Sequence, residues 1–167
     1  YATSNVFAVD VTVSDDDTGS AMSNFRYAVI YDANNGFVTG GGWIMSPAGA
    51  YLANPSLAGK ANFGFVSKYQ KGANVPTGNT EFQFQEGGLN FKSTDFQWLV
   101  IQGAGKAQFK GTGTINGKGK YNFMVTAMDG DGGSGKKPDA FRIKITDFVT
   151  GAVIYDNQMA YDSDETG

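Results

Sequence analysis

Apolar and polar residues alternate with a period of two through most of the chain. Phe7, Val9, Val11 and Val13 share one parity while Ala8, Asp10 and Thr12 hold the other, and Phe25, Tyr27, Val29 and Tyr31 repeat the pattern after the turn-forming run DDDTG at 15–19. Successive side chains of a strand point to opposite faces, so each run predicts a half-buried strand and the two together a hairpin. Asn34, Asn35 and Gly36 break the pattern, which predicts a terminal hairpin over 1–34 and a main unit over 35–167.

The main unit opens with residues 36–72, in which two strand patterns flank a Pro/Gly loop. Phe37, Thr39, Gly41 and Trp43 alternate with Val38, Gly40, Gly42 and Ile44, and Ala61, Phe63, Phe65, Ser67 and Tyr69 alternate with Asn62, Gly64, Val66 and Lys68. Three glycines in a row weaken a strand unless it bulges or something packs against its backbone. Gly40, Gly41 and Gly42 therefore predict a bend closed by an aromatic side chain. The loop between Pro47 and Pro55 leaves room for at most one helical turn. Further strands are predicted at Phe82 and Phe84, at Leu89 to Phe91, at the doubly apolar run FQWLVIQ (96–102), at 107–115, at 121–127, at Phe141, Ile143 and Ile145, and at AVIYD (152–156). Asn116 and Gly117 give the clearest hairpin turn. About eleven short strands at this spacing predict an all-β chain folded as an antiparallel β-sandwich, jelly-roll or immunoglobulin-like.

Charge and composition remove whole classes of function. The net charge is −3 and the densest basic cluster is the pair Lys136 and Lys137, so there is no field for nucleic acid. No run nears the roughly 20 apolar residues of a spanning helix, and no membrane insertion is expected. Cysteine is absent, so no disulfide framework supports the fold. Histidine is absent too, which excludes Ser-His-Asp triads, Cys-His pairs, His-ligated zinc and the commonest general base. A glycosidase needs two carboxylates converging on one bond. Glu81 and Glu86 are the first pair to test, and their odd separation puts them on opposite faces of a strand. No catalytic residue is assigned.

Two kinds of binding chemistry remain. Trp43, Tyr51 and Tyr69 could form a platform on which sugar rings stack, and Tyr51, in a loop where burial is not forced, is the ring most open to solvent on this reading. The competing reading puts the tryptophans in the core, above all Trp98 in its fully apolar strand. Asp129 and Asp131 stand two residues apart in a glycine loop, with Ser134 beside them and Asp139 across a short excursion. Such a loop offers the oxygens that calcium prefers, although Lys136 and Lys137 equally fit a plain solvated turn. The run GTGTING at 111–117 has no helix to hold a phosphate, and its small residues fit a strand on which neighbouring side chains lie flat.

Several motifs in order, GFVTGGGWIMSPAGAY, GKANFGFVSKYQKGA, PTGNTEFQF, FKGTGTING, FRIKI and VIYDN, resemble the post-COAP-1 domain of large bacterial secreted and surface proteins. Upstream, VDVTVSDDDTGSA and FRYAVIYD resemble the closing strands of a PKD-type immunoglobulin-like repeat. The resemblance implies a secreted or cell-surface setting and a non-catalytic structural or adhesive role, with polysaccharide or another surface protein as partner. The alternatives are a carbohydrate-binding module and, behind it, a polysaccharide-active enzyme domain. Members of the family continue into a further apolar strand, so the resemblance also implies a chain truncated before its last strand. It would then have an open sheet edge, available for edge-to-edge self-association.

Overall fold

A computed structural model describes residues 5–17, 19–30, 36–103, 105–130 and 138–158, with the backbone alone at 5–8 and 24–29. Among the described residues there are ten strands: β1 (Asn5–Ser14), β2 (Ser20–Ile30), β3 (Phe37–Ser46), β4 (Gly59–Lys68), β5 (Thr77–Phe84), β6 (Leu89–Gln102), β7 (Lys106–Ile115), β8 (Lys118–Met128), β9 (Ala140–Asp147) and β10 (Val153–Asp156). β1 and β2 make a hairpin of their own, and the other eight form one antiparallel sheet in the order β10-β9-β8-β7-β6-β5-β4-β3. Each strand of that sheet therefore lies beside its neighbours in the chain. The predicted all-β, antiparallel fold is formed; jelly rolls and immunoglobulin-like sandwiches need crossover connections between two sheets, whereas the described strands make a meander in one curled sheet.

The curl follows from the rings. Phe63 on β4 and Phe141 on β9 stack with centroids 3.8 Å apart and planes 5° from parallel. In a flat sheet five strand spacings would hold them about 24 Å apart. Phe82 on β5 and Tyr155 on β10 are separated by the same number of strands, yet their centroids are 4.7 Å apart. The concave face thus closes on itself around Phe65, Phe82, Phe84, Phe91, Phe96, Leu99, Phe109, Phe123, Val125, Ile143 and Ile145, all buried. At one end the rim is stitched shut: Leu52 N–H donates to the Ile154 carbonyl (3.1 Å), Asp156 N–H donates to the Ala50 carbonyl (2.9 Å), and the Tyr155 hydroxyl donates to Ser46 Oγ (2.9 Å).

The predicted count of about eleven fails at one place. The two runs expected at 89–91 and 96–102 are a single strand, β6, whose register shifts between Ser93 and Asp95 and again between Phe96 and Trp98. Each bulge adds a residue and flips the parity, so Leu89, Phe91, Phe96 and Leu99 all face the interior although their numbering does not alternate. The glycines of GTGTING do what the sequence implied: a side chain at Gly113 would collide with the Phe91 ring, and one at Gly111 with Phe123. Asn116 and Gly117 form the expected two-residue turn, both with positive φ (52° and 71°), the left-handed geometry that matches strand twist. Between Pro47 and Pro55 the chain makes turns and no helix.

The convex face is covered over β6 to β8. Trp98, Val100 and Met124 form a second apolar cluster there, with Gln108, Thr112 and Thr126 buried beside it, and the β1–β2 hairpin approaches the sheet at β6. Burial pushes the pKa of Lys110, on the same face, down. Farther round, Arg142 grips Asp156 through two hydrogen bonds (2.9 and 2.7 Å), both side chains buried. The Asn157 amide finishes the edge of β9, accepting from Ile143 N–H and donating to the Phe141 carbonyl, each at 2.8 Å.

Tyr155 carries a measurable consequence of the curl. Burial, aided by the charge of Asp156, pushes its phenol up to about 12 against a Ser46 hydrogen bond that acts the other way. An unfolded tyrosine titrates near 10, so this contribution to stability is complete below about pH 10 and is lost as the pH rises to about 12, by about 2 to 3 kcal/mol. Urea unfolding across that range should show the extra loss in the native chain and not in Tyr155→Phe; equal slopes in the two would contradict the assignment.

Candidate binding cleft on the open edge of the sheet

The rim that is stitched at residues 50–52 stands open at its other end, between β3 and the start of β9. A cleft of about 630 Å³ lies there, walled by residues 37–44, with Phe63, Phe65 and Phe141 lining it and Lys106, Asp129 and Asp139 on its border. Gly40 is a glycine because the Phe65 ring lies against it: a Cβ would come within 2.6 Å of that ring. Of the three glycines, Gly40 therefore serves close packing of a ring. β3 keeps an unbroken register with β4 from Phe37 to Ser46, so the predicted bend is absent.

The hydrogen-bond parity of β3 defines the edge. Tyr69 N–H donates to the Gly36 carbonyl (2.8 Å), which makes that pair a bonded one. In an antiparallel ladder bonded and non-bonded pairs alternate. The even residues of β3 therefore bond to β4, while Phe37, Thr39, Gly41, Trp43 and Met45 turn N–H and C=O toward the open side. The same five point their side chains away from the core, and Phe37, Trp43 and Met45 are 60%, 60% and 64% exposed.

The three aromatic residues proposed for ligand binding do not meet. Trp43 borders the cleft, with Lys60 Nζ 5.3 Å from its ring centroid. Tyr69 is half-buried, its hydroxyl donating to the Leu99 carbonyl (3.2 Å) and accepting from Leu99 N–H (3.1 Å). Tyr51 is at the stitched end, half-buried and edge-on to Phe84 at 6.3 Å, so the most open ring is Trp43 and not Tyr51. Phe37 and Met45 were not among the residues expected to bind a ligand, although parity puts both on the face of Trp43. Trp98 is buried as expected, but on the convex face.

Of the residues considered for calcium, Asp131 and Ser134 lie outside the described residues. Asp129 and Asp139 do come together at the cleft border, and Asp139 Oδ1 already accepts Gly130 N–H (3.0 Å). A calcium ion takes six to eight oxygens, and among the described residues no group of three acidic, Cys or His side chains gathers. The Asp15 carboxylate caps its own turn, accepting from Asp17 and Gly19 N–H. Glu81 pairs with Lys92 at 3.3 Å, and hydrogen bonds from Lys92 and Asn79 pull its pKa down; Glu86 sits in the turn after β5.

Comparison with known proteins gives no support from relatives. The chain matches no family model, no curated protein and no solved structure. The cleft offers a ridge of apolar side chains, two carboxylates and one ammonium, beside a backbone edge that no strand of the described residues covers. Among the described residues no helix is long and apolar enough to cross a membrane.

The burial pattern separates the aromatic residues by experiment. Trp43→Ala should change stability by less than about 0.5 kcal/mol, as surface substitutions do, whereas Trp98→Ala should cost about 3 to 5 kcal/mol. Tyr51→Ala, which strips a ring from Phe84, should fall between them. Denaturant titrations showing Trp43→Ala as the most destabilised of the three would contradict the placement.

Proposed function

We propose that the chain is a non-catalytic structural or adhesive module of a large secreted or cell-surface protein, binding through the open β3 edge. The observation that carries this reading is the row Phe37, Trp43 and Met45, exposed on a strand whose outward N–H and C=O groups have no sheet partner among the described residues. Surface proteins rarely leave such a strand bare without a use for it, because it templates pairing with other chains. The resemblance to the post-COAP-1 domain supports the setting, and the absence of histidine and cysteine from the chain fits a role that needs no acid-base or thiol chemistry.

A second reading, a carbohydrate-binding module, is favoured by one feature. The exposed Trp43 ring and the carboxylates of Asp129 and Asp139 line the same cleft, an apolar platform together with hydroxyl acceptors, the combination that holds a sugar ring. The test is attachment. Beads coated with the protein should clump, or should adhere to beads bearing polysaccharide, and Trp43→Ala should reduce whichever attachment occurs. Clumping among protein beads supports the adhesive reading and attachment to polysaccharide the second. Beads that stay dispersed in both arms would overturn both.

A further inference from the structure

We propose that two copies of this chain join edge to edge through β3, antiparallel and with a two-fold axis at Gly41. The inference rests on the adhesive reading above and names its partner. The two exposed sheet edges are treated differently. β9 is closed by β10 and by the Asn157 amide, and β10 is met by residues 50–52. From Phe37 to Met45, β3 has none of the devices that keep edges apart: no proline, no charge and no bulge.

The strand is also complementary to itself. With Gly41 opposite the partner's Gly41, Thr39 faces the partner's Trp43 and Phe37 faces the partner's Met45. All five outward-bonding residues then fall in bonded pairs, each exchanging two hydrogen bonds. The small Thr39 leaves room for the indole, and the two most distant exposed side chains, Phe37 and Met45, cover each other. An axis shifted to Thr39 would leave Met45 and its backbone groups without a partner. Such an isologous contact closes after two copies and does not propagate.

Charge does not oppose the pairing. The row itself is neutral, and the flanking cations are on β4, Lys60 beside Met45 and Lys68 beside Phe37. Across the joined sheet, Lys60 of one copy and Lys68 of the other are three strand spacings apart, about 14 Å. That exceeds the screening length of about 8 Å at physiological salt.

Sedimentation velocity over a concentration series tests the proposal, together with amide exchange. The native chain should reach a dimer. Its amides at Phe37, Thr39, Gly41, Trp43 and Met45 should exchange quickly when dilute and slowly when concentrated, while those of Val38, Gly40, Gly42 and Ile44 stay protected throughout. Thr39→Pro removes an outward N–H and leaves the backbone ladder to β4 intact, losing only the Thr39 hydroxyl bond to the Phe65 carbonyl (3.2 Å), and should weaken the dimer about tenfold or more. Should that variant fail to fold, Thr39→Lys, an exposed change that crowds a second cation against the Lys60 already over the partner's Trp43, should weaken it likewise. A chain monomeric at every concentration, or a dimer whose outward amides stay fast, would overturn the proposal. Beads that still clump when they carry Thr39→Pro would sink pairing through β3 alone, whereas beads of the native chain that stay dispersed would sink the adhesive reading with it.

Discussion

The stack of Phe63 on Phe141 is the constraint from which the rest of the architecture follows. A meander of eight strands has no reason of its own to bring its second and seventh members together. Those rings can touch only if every intervening strand tilts and the sheet curls through most of a turn. Once curled, the concave face encloses Phe65, Phe82, Phe84, Phe91, Phe109 and Phe123, and ring pairs within 4.7 to 6.5 Å run across it. Burying a large side chain of this kind is worth about 1.5 to 3 kcal/mol. Aromatic burial is thus ample to hold a fold without cysteine.

The curl ends unevenly, and that unevenness makes the candidate site. Where β10 is present, residues 50–52 pair with it and Tyr155 reaches Ser46. β10 has only four residues against the ten of β3, so the pairing runs out while β3 continues. Past that point Asn157 closes the β9 side, and among the described residues β3 has no strand paired to its outward backbone groups, with three exposed apolar side chains beside them. The same glycines that let Phe65 lie against β3 leave the cleft shallow and the strand flat. Core packing and the open edge are therefore two faces of one sequence, GFVTGGGWIM.

Much of this was legible in the sequence, because a period of two reports which face a side chain occupies. It placed the strands, the turn at Asn116 and Gly117, and the flat seats at Gly111 and Gly113. It could not report sheet partners, so the same strands read equally well as a sandwich. It also breaks at bulges: the residues added at Thr94 and Gln97 made one long strand look like two. Trp98 could be read as buried but not assigned to a face, since both parities of its strand are apolar. Tyr51 was misjudged because its partner Phe84 is distant in sequence, whereas parity alone was enough to put Phe37 and Met45 with Trp43.

The account stands or falls on whether the two ends of the sheet are held together by ring contact. A double-mutant cycle between Phe63→Leu and Phe141→Leu, read by denaturant unfolding, measures that contact directly. Rings stacked at 3.8 Å predict a coupling of about 0.5 to 1.5 kcal/mol beyond the separate losses. Strictly additive losses would show that Phe63 and Phe141 do not meet, and that the sheet is not curled as described.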